Sequence, residues 1–192
     1  MKTVTVNASV RYDVLIEKGL LSHCGEKTAE VFSPQKSAAA IITDDNVSAL
    51  YLNTVVRSFE QAGFRVCHFT FLHGEDSKSH AVLMNVYDFL IQNHITRSDF
   101  IVALGGGVVG DLAGFAAATY LRGIPFIQIP TTFLAAIDSS VGGKTAVNIP
   151  AGKNLIGAFH QPSLVLCDPN TFDTLSEPVS YTHLTLPTIL RV

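Results

Sequence analysis

The chain has 192 residues, 47% of them apolar and 15% charged, with a net charge of −3. That composition supports a buried core, which excludes a disordered chain, and the slightly acidic balance leaves no basic footprint for nucleic acid. Three cysteines, Cys24, Cys67 and Cys167, are odd in number and widely spaced with no C-x-x-C pair, so they fit neither a disulfide framework nor a zinc knuckle and suit a reducing compartment.

The length fits one domain, or one domain and part of another. At the N-terminus Asn7, Arg11 and Asp13 arrive too early for a signal-peptide core, and a cytoplasmic protein is expected. Strand-like runs at 3–7 and 12–16 lie too close for a helical crossover and predict a hairpin or edge ribbon. A buried-strand pattern at 38–43 ends in Asp44-Asp45-Asn46. A helix over 46–62 follows, with Val47, Leu50, Val55, Phe59 and Ala62 on one face and Gly63 as its stop. Next come a strand at 65–71, a polar turn from His73 to Lys78, and a helix over 79–93 carrying Val82, Val86, Phe89 and Leu90.

A strand at 100–104 then runs into Gly105-Gly106-Gly107-Val108-Val109-Gly110-Asp111 and a helical run to Leu121. This stretch is long enough to raise a membrane span, but Asp111 and the glycines divide it into strand, turn and helix. Further strands are expected at 126–129 and 163–167. The alternation predicts an α/β fold, a doubly wound, mainly parallel sheet with helices on both faces.

A strand, a glycine turn and a helix place bare backbone N–H groups and a helix N-terminus before an anion, and glycine lets a phosphate approach where a Cβ would block it. A phosphate cradle is favoured here over a merely tight turn. Gly110, Gly114 and Ala118 form a small-residue stripe that lets the helix lie close to the sheet. Asp44 and Asp45 stand where a doubly wound sheet presents ribose-binding carboxylates, but either also suits the cap of the next helix, and both roles are compatible. Gly142-Gly143-Lys144-Thr145 resembles the end of a P-loop, yet the glycine needed at 138 is Asp138, so the pattern fails. The segment 138–148, with Lys153 and Asn154 beyond it, is read either as a polar binding loop or as an ordinary surface loop. His73 and His80 fit no usual metal pair, and the other histidines are scattered.

Together Gly105–Asp111, Pro130-Thr131-Thr132, Asp138–Asn148 and Lys153-Asn154, in that order and spacing, resemble the 3-dehydroquinate synthase family from about residue 10 to residue 178. The resemblance implies a Rossmann-like NAD-binding domain over 1–179, with a helical C-terminal domain missing and a foreign-looking tail at 180–192. It implies that Asp44 and Asn46 face the adenosine side of NAD with Glu75 and Lys78 nearby. Gly106, Gly107, Val108 and Asp111 would hold the pyrophosphate and its surroundings, and Thr131, Thr132, Thr171, Phe172, Thr174 and Leu175 would bind NAD further. Asp138, Lys144 and Asn154 would meet the hydroxyls and carboxylate of a phosphorylated sugar acid, with Lys144 and Lys153 also close to NAD. Arg122 would reach the substrate phosphate across the interface of a homodimer. His73 departs from the family, where Asp is common, with little effect expected.

The implied reaction converts 3-deoxy-D-arabino-heptulosonate 7-phosphate to 3-dehydroquinate and phosphate, with NAD used catalytically and a zinc or cobalt ion polarising the C5 oxygen. The family's metal ligands, one Glu and two His, belong to the missing domain, so His183 is not assigned to metal and the fragment is expected to be inactive. Another sugar-phosphate cyclase or a metal-dependent polyol dehydrogenase is the alternative enzyme; a non-catalytic NAD-binding module is the alternative of another class. Surfaces meant for the missing domain would leave the fragment prone to aggregate.

Overall fold

A computed structural model describes residues 1–32 and 37–175; the tail expected at 180–192, with His183, lies outside the described residues. The strands are β1 (Lys2–Asn7), β2 (Arg11–Ile16), β3 (Ala38–Asp44), β4 (Arg65–Phe71), β5 (Phe100–Gly105), β6 (Phe126–Pro130), β7 (Lys144–Ile149), β8 (Gly152–Phe159) and β9 (Leu164–Cys167). Seven of them form one sheet in the order β1-β2-β9-β6-β5-β3-β4. Every pairing in it is parallel except the β1–β2 hairpin at the edge. All seven lie where the sequence predicts strands.

The central strands are buried on both sides, which is why they read as unbroken apolar runs. Residues of β5 and β6 are buried throughout, whereas β1 at the edge is almost wholly exposed. On one face pack α1 (Cys24–Phe32) and a helical stretch containing α2 (Asp45–Val47) and α3 (Asn53–Gln61). The other face carries α4 (His80–Gln92) and α5 (Gly107–Thr119). The crossing of α1 and α3 is tight: Gly25 donates its N–H to Ser58 Oγ at 2.9 Å, and a Cβ on Gly25 would lie 2.2 Å from the Ser58 carbonyl oxygen.

The predicted helix at 46–62 needs one correction. A π-type turn over Ser48–Leu52 adds a residue to the winding between α2 and α3. That rotation turns Leu50 outward, 55% exposed, and seats Leu52 in the core instead. A second difference concerns the polar segment from 138 onward, where no strand is predicted. There β7 and β8 pair antiparallel as a separate hairpin. It lies on α5, whose Gly114 sits so close that a Cβ would come within 2.5 Å of the Thr145 methyl and 3.2 Å of the Phe126 ring. The small-residue stripe is therefore a packing device, as read from the sequence.

After β3 the chain steps outward to β4, then returns to the other side of β3 as β5 and continues outward to β6. The connections leave β3 and β5 in opposite directions, which opens a crevice at their carboxyl ends. Asp44 ends β3 and Gly105 ends β5.

Candidate functional site

The loops at this rim meet one another. The Thr131 N–H donates to the Gly105 carbonyl at 3.0 Å, tying the end of β6 to the glycine turn. Gly106 and Gly107 have no side chains between them and the next loop: a Cβ at Gly106 would lie 3.2 Å from the Thr132 methyl, and one at Gly107 would lie 3.1 Å from Ser139 Oγ. Gly106 is the N-cap of α5, and no side chain caps it. The first-turn amides of a 13-residue helix are thus left to face the rim. Gly106 has φ −77°, so close approach, not an unusual backbone, is what calls for glycine here. Thr131 is buried, and its hydroxyl has no hydrogen-bond partner among the described residues.

Beside the glycine turn lies a cleft of about 480 Å³ lined by Asp111, Asp138, Lys144, Asn154, Leu155 and Phe159, among others. Beneath it the Lys78 ammonium pairs with the Asp111 carboxylate and donates to Asn154 Oδ1 at 2.5 Å. Burial pushes the Asp111 carboxyl above its ordinary range, and Lys78 opposes that push without reversing it. Farther out Lys144 lies 3.3 Å from Asp138, both side chains 63% exposed and free to turn toward a ligand. Glu75 accepts from Asn148 Nδ2 at 2.8 Å, and Lys153 approaches it at 3.9 Å. The apolar rim is open, with Phe159 at 86% and Leu155 at 60% exposure.

Of the two readings of the acidic pair, the helix cap is seen at Asp44. Asp44 caps the helix that follows β3, accepting from the Val47 N–H at 2.9 Å, and burial pushes its carboxyl upward. Asn46 beside it is exposed. His73 is less inert than expected of a turn residue: its N–H and Nδ1 reach Asp45 Oδ1 at 2.7 and 2.9 Å. Contact with the His73 N–H holds the Asp45 carboxyl below its usual range.

Other expected residues lie apart from the cleft. Thr171 is buried and its hydroxyl donates to the Asp168 carbonyl at 2.8 Å, so it secures the turn Pro169–Thr174. That turn is also held by the Tyr51 hydroxyl, 2.6 Å from Thr174 Oγ1, and by Phe172 edge-on to Phe133 at 5.8 Å. Leu175 closes it with an N–H to the Phe172 carbonyl at 3.2 Å. Arg122 does not join the cleft. It follows α5 and precedes β6, at the amino-end rim of the sheet, and is exposed. Asn148, at the centre of the polar contacts, is a residue that the sequence does not single out; its place on a hairpin that the sequence does not predict hides it.

Among the described residues no three His, Cys, Asp or Glu side chains converge to hold a metal ion. No helix there is long and apolar enough to cross a membrane.

The sequence model of the family described as 3-dehydroquinate synthase N-terminal matches residues 68–181, which span β5, the glycine turn and the hairpin. The chain belongs to the 3-dehydroquinate synthase family. It is 54% identical over 175 residues to a 3-dehydroquinate synthase of Streptococcus suis, covering 91% of this chain and 49% of that protein. A 3-dehydroquinate synthase of Streptococcus thermophilus is 54% identical over 166 residues, covering 86% of this chain and 46% of the relative. The chain thus spans about half the length of the curated relatives it matches. Its fold is similar to 2-deoxy-scyllo-inosose synthase complexed with carbaglucose-6-phosphate, NAD+ and Co2+, with a TM-score of 0.87 and 28% identity over 95% of this chain and 49% of that one. The 2-epi-5-epi-valiolone synthase of Streptomyces hygroscopicus, with NAD+ and Zn2+ bound, gives a TM-score of 0.81 and 30% identity over 94% of this chain and 49% of that one. An iron-containing alcohol dehydrogenase shares the fold alone, at a TM-score of 0.73 and 19% identity.

Proposed function

We propose that this chain supplies the NAD-binding half of a 3-dehydroquinate synthase, which turns 3-deoxy-D-arabino-heptulosonate 7-phosphate into 3-dehydroquinate and phosphate. The observation that carries the reading is the meeting of the uncapped α5 N-terminus with the Thr131-Thr132 loop beside a cleft lined by Asp138, Lys144 and Asn154. The family relation at 54% identity favours this reaction over that of the other cyclases, which are more distant.

The residues present fit the dinucleotide. Gly106 and Gly107 let a pyrophosphate approach the first-turn amides of α5, and the unpartnered Thr131 hydroxyl has a hydrogen bond to give. Asp44 and Asn46 stand at the end of β3 for the adenosine side with Glu75 and Lys78 nearby, Lys144 and Lys153 lie close to the cofactor, and Val108 and Asp111 follow the turn. Thr132, Phe172, Thr174 and Leu175 border the same rim. Held by the first-turn amides of α5 and the Thr131-Thr132 loop, NAD would supply reversible hydride acceptance at the substrate's C5 carbon.

In this reading Lys144 attracts the substrate carboxylate, and Asp138 accepts from a substrate hydroxyl. Asn154 holds another hydroxyl at the mouth of the cleft, fixing the reacting carbon within reach of the cofactor. Arg122 serves a partner subunit's phosphate pocket. The described residues do not fit a metal ion, and in this reading the chain alone is expected to show no turnover. Free, buried Cys24 and Cys167 suit the cytoplasm. Calorimetry of the chain with NAD, with a turnover assay using the heptulosonate phosphate, NAD and zinc, tests the reading: binding without product is expected, and absence of NAD binding overturns it.

A further inference from the structure

The polar contacts around the cleft converge on a residue to which the proposed function gives no task. Asn148 lies at an irregularity in the β7–β8 ladder, where the register shifts between Val147 and Ile149. The shift frees its backbone N–H from the hairpin, and that N–H donates instead to the Lys78 carbonyl at 2.7 Å. Its side chain then works in two directions. Nδ2 donates to Glu75 Oε1 at 2.8 Å, and Oδ1 accepts from the Asn154 N–H at 2.9 Å. A carboxylate needs a donor and an amide N–H needs an acceptor, so only a side chain carrying both satisfies the pair.

The geometry has a consequence for Asn154. Its φ is +57°, a left-handed conformation that asparagine tolerates better than most residues. In that conformation its N–H points to Asn148 and its Oδ1 meets the Lys78 ammonium. Lys78 is held from both ends, by its carbonyl through the Asn148 N–H and by its ammonium through Asp111 and Asn154. Asn148 touches three of the residues on which the proposed site depends, yet it is not itself among those lining the cleft.

We propose that Asn148 is a positioning residue: by bridging Glu75, the Asn154 N–H and the Lys78 carbonyl it holds the Asn154 backbone in its left-handed conformation, and through Asn154 Oδ1 it sets the place of the Lys78 ammonium beneath the cleft. The proposal rests on the NAD-site reading for its consequence in binding, but the clamp itself is read separately from the protein.

The test compares the full chain with Asn148→Ala, Asn148→Asp and the swap Asn148→Asp with Glu75→Gln, by NMR and by NAD calorimetry. In Asn148→Ala the Asn154 amide is expected to exchange about tenfold faster and NAD to bind about tenfold more weakly, the scale of a lost hydrogen bond. The Lys78 ammonium resonance moves, while amides of β5 and α5 keep their exchange rates, which a general loss of stability would not allow. Asn148→Asp keeps the acceptor, so Asn154 stays protected, but two facing carboxylates displace Lys78. Adding Glu75→Gln returns a donor to the pair and restores the Lys78 resonance; this swap decides the matter if the alanine variant does not fold. Unchanged Asn154 exchange and Lys78 resonance in Asn148→Ala overturn the proposal, as does a swap that restores nothing. If the unaltered chain binds no NAD, the cofactor reading fails, and the two NMR signals still decide the clamp.

Discussion

The Lys78 ammonium pairs with the Asp111 carboxylate across the gap between the loop ahead of α4 and the first turns of α5. Lys78 is only 4% exposed, so this is a buried pair that ties the β4 side of the crevice to the helix after the glycine turn.

Removing one partner leaves the other charge buried. Lys78→Met is expected to destabilise the chain by about 3 kcal/mol, and Lys78→Met with Asp111→Leu to recover most of it, because a buried pair replaced as a whole costs little. Urea unfolding of the two variants checks the difference. Both are expected to lose NAD affinity, since stability and function part company at this pair.

The glycines of α5 divide in the same way. Gly114→Ala forces a methyl against Thr145 and Phe126 and is expected to lower stability by about 1–3 kcal/mol. Gly107→Ala meets only Ser139 Oγ at 3.1 Å; its expected effect is weaker NAD binding with little change in the unfolding midpoint. Thermal unfolding and calorimetry on both variants separate the two roles.

Asp99 predicts a pH dependence of stability. Burial disfavours its charge, but donation from the Thr96 N–H and hydroxyl, both at 2.8 Å, and from the Ser37 hydroxyl at 2.9 Å outweighs it and holds the carboxyl below its usual range. A lowered folded value means that the stabilisation is complete above the unfolded value near ~3.9 and is lost as pH falls through the folded one. Asp99→Asn is expected to cost about 2 kcal/mol at pH ~7, with a smaller difference from the unaltered chain at pH ~3, read from urea titrations at each pH.

The thiols are expected to be inert in the folded chain. Burial pushes Cys24, Cys67 and Cys167 up to about 11, so roughly one thiol in a thousand is ionised at pH ~8. A thiol reagent at that pH should label the chain quickly only after denaturant is added; rapid labelling of the native chain contradicts the burial.

What the sequence made legible follows from burial. β3, β5 and β6 are sealed on both faces, so their apolar runs announce them, and the glycine turn is bracketed by two such elements. Asp44 stood out because it ends β3, whereas Thr131 and Asp138 were reached only through the resemblance to the family, since neither carries a mark of its own in the strand pattern. The hairpin was hidden because β8 is largely exposed and shows no inward–outward alternation, and β7 is buried through Thr145, Ala146 and Val147, a short run inside a polar stretch. Leu50 and Leu52 exchanged places through a π-type turn that leaves no mark in the 3.6-residue period. Asn148 acts through contacts 73 residues away in sequence, at Glu75, a separation that no local pattern encodes.

In the proposed site the α5 N-terminus and the Thr131-Thr132 loop together grip NAD. An NMR titration of the chain with NAD tests it most directly. Saturable shifts concentrated at the amides of Gly106, Gly107, Val108 and Thr132, with Asp44 and Asn46 following, are the predicted result. Shifts confined to residues elsewhere, or none at millimolar NAD, would contradict it.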